Sequence, residues 1–255
     1  MTPDSKLSGI VIGFVLICGA DFAFANRAGA LPFRNGGTAS NGNNCSACHA
    51  GSLGHSTGSV QILDAPVMYN FNRVYDITIM VTDTVQAGAG FEFSAESPLG
   101  AFLGTPIVSD AVNTRHSSGT GGTNFITHTA TGVGNAVANW ASLGNTAFYH
   151  VQWRAPDSDM GQVNFFAAGN AINNNFANSL DRVYLTSVST MPATCDKADL
   201  TGDSAIDGQD LALFVATWLD PDNATPREFC AGDMNDDGMI DDLDAAALVE
   251  ELLSQ

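Results

Sequence analysis

The chain has 255 residues, 45% of them hydrophobic and 14% charged, with a formal net charge of −18. That length suits one medium domain and one small one, and the apolar content excludes wholesale disorder. The charge is concentrated. Asp196 to Gln255 holds 16 acidic and 2 basic residues, whereas Asn26 to Cys195 holds 9 and 6, so no basic patch is offered to nucleic acid or anionic lipid.

The first 25 residues read as an export signal. Lys6 precedes an apolar run from Leu7 to Ile17, and Ala23-Phe24-Ala25 forms an A-x-A site with cleavage expected before Asn26. Cys18 follows Val15-Leu16-Ile17, a poor lipobox. No later stretch is long and apolar enough for a transmembrane helix. The mature protein is expected outside the cytoplasm, extracellular or at the cell surface, with the periplasm as the other compartment.

Residues 26–59 are rich in Gly, Asn, Ser and Ala and read as an irregular segment. It contains Cys45-Ser46-Ala47-Cys48-His49, the Cys-x-x-Cys-His attachment motif of c-type haem. Two thiols at this spacing take the vinyl groups while His49 binds the iron. A redox disulfide, a zinc half-site and a vestigial motif are the competing readings. One motif means one covalent haem, and a sixth iron ligand would come from His55, His116, His128, His150, Met68, Met80 or Met160. His128, in Thr127-His128-Thr129, is the first choice, with a hydrogen-bonded core histidine as its alternative.

Residues 60–189 carry short β signals separated by Gly-, Asn- and Pro-rich turns: Val74–Val81, Gly90–Ala95, Pro106–Val108, Phe125–Thr129, Ala147–Trp153, Gly161–Ala167 and Val183–Val188. With no helical periodicity among them, they predict a β-sandwich. Residues 36–189 resemble the bacterial choice-of-anchor V domain, a relative of the Reeler domain. The resemblance rests on the CxxCH motif, Gly90-Phe91, Thr127-His128-Thr129, Val151–Pro156, Gly161–Ala171 and Asp181-Arg182-Val183-Tyr184. It implies an immunoglobulin-like sandwich displayed outside the cell, followed by an anchoring device, and no known catalytic activity.

After a linker at residues 190–194, the pattern becomes loop, helix, loop, helix over residues 195–255. Calcium loops place oxygen ligands at positions 1, 3, 5, 7, 9 and 12. Asp233, Asn235, Asp237, the Met239 carbonyl, Asp241 and Asp244 fill those positions in the second repeat, with Gly238 at the turn. Asp199, Thr201, Asp203, the Ala205 carbonyl, Asp207 and Asp210 fill them in the first, where Ser204 replaces the glycine and Thr201 is a weaker ligand. Two calcium ions are expected, the first bound less tightly. Leu211, Phe214, Val215, Trp218 and Leu219, then Leu243, Ala247, Leu248 and Leu252, are expected to bury one stripe on each following helix. The repeats resemble a type I dockerin, a small all-α paired F-hand domain, on the grounds of Asp at position 12 and no helix before each loop. The resemblance implies a cohesin-like partner of unknown identity. Cys195 and Cys230 stand at equivalent places before the loops and could be bridged in an oxidising compartment, or remain separate thiols.

The leading expectation is a secreted monohaem c-type cytochrome for electron transfer, with an unknown redox partner, attached through its dockerin to a scaffold or surface. The alternative is an adhesive or structural display module without haem; a third reading is a haem-dependent enzyme, such as a peroxidase with an open iron position. No catalytic residues are assigned, because no Arg/His, Ser-His-Asp, phosphate-loop or paired-carboxylate constellation appears.

Overall fold

The computed structural model describes residues 27–254, so the expected export signal at residues 1–25 lies outside the described residues. Two sheets face each other. One runs β1 (Ala50–Leu53), β11 (Ser179–Pro192), β10 (Val163–Ile172), β5 (Gly88–Glu96), β8 (Ile126–His128) and β7 (Thr114–His116), with β3 (Met68–Tyr69) also pairing β11. The other runs β2 (Gly58–Leu63), β4 (Val74–Asp83), β9 (Thr146–Arg154) and β6 (Thr105–Ile107). The protein is therefore mainly β, as the strand pattern predicts, with helices gathered at the C-terminus.

Alternation builds the sandwich core. On β4, Ile77, Ile79 and Val81 are buried while Thr78, Met80 and Thr82 between them are partly exposed. Phe91, Phe93, Phe165 and Trp153 fill the space between the sheets. Trp153 stands edge-on to Phe165 at 4.9 Å and to Tyr69 at 5.7 Å, and its indole N–H donates to the Leu103 carbonyl at 3.0 Å. Gly104, at φ +66°, is held against the Trp153 ring and the Arg154 carbonyl, where a Cβ would lie 2.3 Å from oxygen.

Every residue of β5 is buried, including Glu92, Ser94 and Glu96 on the face turned away from Phe91 and Phe93. The irregular N-terminal segment covers that face. The Arg34 N–H donates to Glu92 at 2.5 Å, the Ala39 N–H to Glu96 at 2.7 Å, and Asn35 Nδ2 to Ser94 at 2.5 Å. A backbone without ladder partners thus finds acceptors on a strand.

The sequence did not reveal α1 (Ala130–Asn139), which is capped by Thr129 and packed on β5. Its two glycines and its Thr and Val residues read as loop. Gly132 lies against the Asn113 carbonyl, 2.2 Å from a hypothetical Cβ, so close approach explains it. The segment expected to be irregular over 26–59 also yields β1, parallel to β11, and the start of β2. β11 continues through Pro192, into the stretch read as a linker.

The C-terminal region contains α2 (Gly208–Leu219), α3 (Pro226–Gly232) and α4 (Asp242–Ser254) around Leu200, Phe214, Phe229, Ile240 and Leu248. α3 corrects the expectation of no helix before the loops: a Thr225–Glu228 capping box and Pro226 start it just ahead of the second loop. The expected burial is also narrower. On α2 only Phe214 of the five apolar residues is buried. Leu211, Val215, Trp218 and Leu219 are 38–80% exposed. On α4 Leu248 is buried and Leu243 is 65% exposed. A Cys195–Cys230 disulfide joins the approach to loop one with the end of α3, its Cα atoms 6.0 Å apart. The two regions meet where Asn72 Nδ2 donates to the Asp236 carbonyl at 2.7 Å and the Arg73 guanidinium lies 3.9 Å from the Phe229 ring centre.

Burial pushes the Glu92 carboxyl up to about 7 from 4.5, against the pull of the Arg34 N–H and Ser117. An acid whose pKa is raised by folding stabilises the fold below its unfolded pKa. That contribution is lost as pH rises through the folded value. Relative to Glu92→Gln, the wild-type chain is expected to lose roughly 3 kcal/mol of stability between about pH 4.5 and pH 8. Denaturant titrations of both chains across that range measure it, and parallel pH profiles would refute it.

Candidate functional sites

Asn44 opens the motif turn. Its side chain accepts the Ser46 N–H and caps a 3₁₀ turn over Cys45–Ala47. Cys45 is buried, with its thiol 3.5 Å from the Arg34 carbonyl, and burial pushes its pKa up to about 12, so the sulfur is held as a neutral thiol. Cys48 is partly exposed, and no disulfide joins the two. His49 follows, with Nδ1 2.6 Å from Asp181 Oδ2 and 3.0 Å from the Asn170 amide nitrogen. Asp181 is buried and also accepts the Asn173 N–H. A proton on Nδ1 shared with this carboxylate leaves the lone pair on Nε2, the arrangement that suits a metal-binding imidazole.

These residues line one cavity of about 550 Å³ on the outer side of the seven-stranded sheet. Cys45, Cys48 and His49 lie along it, and His128 from β8 lies along it too. Nδ1 of His128 lies 3.0 Å from the Phe91 nitrogen and 3.2 Å from the Phe91 carbonyl; accepting the N–H puts the ring proton on Nε2, whereas donating to the carbonyl leaves Nε2 a lone pair for a metal. The ring rests on Gly90, where any Cβ would fall 2.5 Å from the imidazole. Of the seven candidate sixth ligands, only His128 lines the cavity. His55 bonds Thr57 and His150 bonds Thr78 instead. The residues present fit a c-type haem: two unbridged thiols, an oriented His49, and a second imidazole in the same cavity. A cavity of this volume falls in the range of cofactor sites. Asp181 and Asn170 escaped the residue-by-residue reading. Their only signal was membership of the Asp181-Arg182-Val183-Tyr184 and Gly161–Ala171 stretches.

The second candidate site is the pair of acidic loops. Asp210 accepts the N–H groups of Thr201 and Asp207, both at 2.9 Å, from the start of α2. Asp244 does the same for Met234 at 2.7 Å and Asp241 at 2.9 Å from the start of α4. Asp199 accepts Gly202 and Ser204, and Asp233 accepts Asp237 and Gly238. All four position-1 and position-12 carboxylates are buried. Burial first, with like charge from Asp244 adding to it, pushes Asp233 up to about 6. Among the described residues no three His, Cys, Asp or Glu side chains converge closely enough to hold a metal by themselves. The loops' donor sets also draw on the Thr201 hydroxyl, the Asn235 amide and main-chain carbonyls. Oxygen donors of this kind around buried like-charged carboxylates fit a hard cation.

The two basic residues of the acidic tail reach across. Lys197, before loop one, bonds the Cys230 and Asp233 carbonyls and Asp236 Oδ1 beside loop two. Arg227, before loop two, bonds the Asp199 carbonyl at 3.2 Å and Oδ2 at 3.1 Å in loop one.

Residues 197–253 match the family model described as the dockerin type I domain. No curated protein matches the chain. Among solved structures, the human F-spondin reeler domain (fragment 1) is 14% identical, with a TM-score of 0.37, over 55% of this chain and 95% of that one. The Reelin-N domain of F-spondin is 14% identical, with a TM-score of 0.40, over 59% and 96%. A type II cohesin domain from the cellulosome of Acetivibrio cellulolyticus is 8% identical, with a TM-score of 0.27, over 50% and 95%. Likenesses this distant carry no argument about what the chain binds. The C-terminal region is a dockerin type I domain, a binding module rather than a catalytic one.

Ser204 has φ +69°, the conformation that Gly238 adopts at the same loop position with φ +86°. An L side chain there is strained and glycine is not. Ser204→Gly is expected to stabilise the C-terminal domain by about 0.5–1 kcal/mol. Calorimetry of the calcium-loaded chain reads this as a later dockerin transition, and an unchanged or earlier one would count against the strain.

Proposed function

We propose that this chain is a non-catalytic extracellular display module, attached through a calcium-loaded dockerin to a cohesin-bearing scaffold or surface. The observation that carries it is the exposed apolar stripe on α2. Leu211, Val215, Trp218 and Leu219 recur at helical spacing on a domain whose core is already filled by Phe214, Phe229 and Leu248. An apolar stripe left outside a completed core is a partner-binding face.

In the first loop Asp199, Thr201, Asp203, Asp207, Asp210 and the Ala205 carbonyl would hold calcium, and in the second Asp233, Asn235, Asp237, Asp241, Asp244 and the Met239 carbonyl would hold it; bound there, the ion would supply charge neutralisation and fix both loops. Because position 12 lies in the first turn of α2 and of α4, ligation orients both helices. Strain at Ser204 and the Arg227–Asp199 pair, at 3.1 Å, support a weaker first site.

A second reading for the sandwich is favoured by a separate observation: the CxxCH motif and His128 share one cavity. In this reading Cys45 and Cys48 would hold a c-type haem, His49 and His128 would bind its iron, and the module would carry electrons to an unknown redox partner. When bound, such a group would supply one-electron transfer and little bond chemistry. Asp181 orients His49, Gly90 admits the His128 ring, and the Phe91 carbonyl, 3.2 Å from His128 Nδ1, takes the proton whose placement there leaves Nε2 a lone pair.

Chelation is expected to abolish binding to immobilised cohesin domains and to lower the unfolding temperature of the C-terminal domain. Val215→Asp with Trp218→Asp is expected to weaken binding by tenfold or more while leaving that temperature within a few degrees. Binding that survives both chelator and the double substitution would contradict the docking assignment. For the second reading, chain made in a host competent for haem c attachment is expected to keep haem after denaturation and to give a pyridine haemochrome spectrum. A colourless product from that host removes the haem reading and leaves the display module.

A further inference from the structure

The cavity beside the CxxCH motif has features that neither thioethers nor axial ligands use. Arg27 and Arg34 both line it, and its one carboxylate, Asp181, is engaged by His49. In a chain with nine basic residues and 27 acidic ones, two arginines at one cavity are a local reversal of charge. Neither is ion-paired among the described residues. Arg34 Nη1 donates only to its neighbour's carbonyl, Phe33 O, and its Nε is buried with no hydrogen-bond partner among the described residues.

The same cavity has an apolar wall and a strained aromatic at its edge. Phe176 has φ +60°, is 81% exposed, and lies with its ring centre 5.9 Å from the Arg27 guanidinium carbon. A bulky side chain in the left-handed region, with its ring in water, is costly unless something occupies the space it faces. Asn170 is 6% exposed and lines the cavity, with its side-chain amide against His49 Nδ1. Among the described residues, the buried, unpartnered Arg34 Nε and two guanidinium groups without an ion pair, beside an apolar wall, describe a site built for a ligand with polar ends and an apolar body.

We propose that Arg27 and Arg34 are carboxylate-binding residues of this cavity, selecting a flat apolar group that carries acidic side arms and rejecting the same group with those arms neutralised. Guanidinium forks bind carboxylates through paired N–H donors, and the Phe176 ring covers the flat face beside them. The proposal rests on the haem reading, and it adds that the acidic arms, as well as iron ligation, fix the group in the cavity.

The test uses chain made without haem-attachment machinery, titrated with haemin and with haemin dimethyl ester by absorbance. Haemin is expected to bind at least about tenfold more tightly than the ester, the scale of a charge-assisted hydrogen bond. Arg27→Gln with Arg34→Gln is expected to erase the preference, and Arg27→Lys with Arg34→Lys to keep part of it. Arg27→Gln alone, at an exposed position, is expected to reduce the preference without affecting folding. Equal binding of haemin and ester by the wild-type chain overturns the proposal while leaving the haem reading intact. Binding of neither, together with a colourless product from the attachment-competent host, overturns both.

Discussion

Glu92 sits in β5 with no exposed surface, and its two oxygens receive the Arg34 N–H and the Ser117 hydroxyl. Two residues along the same strand face, Ser94 takes Asn35 Nδ2, and two residues further Glu96 takes the Ala39 N–H. Period-two alternation puts all three on one side of the sheet, and that side is where the CxxCH segment lies. A glycine- and asparagine-rich chain has little apolar surface with which to hold itself in place. Its position depends on acceptors that the strand supplies. Without them, Cys45, Cys48 and His49 would have no defined relation to His128.

The dockerin uses the same device with the roles of strand and helix exchanged. Asp210 and Asp244 sit on the first turns of α2 and α4 and accept N–H groups from the loops ahead of them. A carboxylate at a helix N-terminus is also favoured by the helix dipole. His49 is held in this way by Asp181. In each case a rigid element presents a buried carboxylate and an irregular segment that carries chemistry is pinned to it. Lys197 and Arg227 then tie the two loops to each other, and the Cys195–Cys230 bridge closes the same seam.

Much of this was legible in residues. Alternation located β4, β5, β9 and β10, and the twelve-residue spacing located both loops. What escaped has physical causes. α1 is built from glycine, threonine and valine, and it is helical because β5 offers a surface and Thr129 a cap. β1 pairs parallel with the distant β11, a contact no local pattern encodes. On α2 the small core takes Phe214 and part of Leu213, so Leu211, Val215, Trp218 and Leu219 are left largely to solvent. Helical spacing marks such a stripe but does not say whether the protein's own core or a partner covers it. The partners of His49, Asp181 and Asn170, are 132 and 121 residues away in the chain.

The two halves are joined through a small contact in which the Asn72–Arg73 turn meets the second loop and α3. Gly238 is so close to the Asn72 backbone that a Cβ would fall 2.5 Å from it. The reach of this arrangement depends on whether buried carboxylates hold the irregular backbone. Amide hydrogen exchange in the calcium-loaded full chain measures that directly, at Arg34 and Ala39 in the sandwich and at Thr201 and Met234 in the loops. These four N–H groups lie outside every helix and strand yet donate to Glu92, Glu96, Asp210 and Asp244. Exchange as slow as in the adjoining β5, α2 and α4 is the predicted result. Exchange at the rate of exposed loop amides would contradict the account.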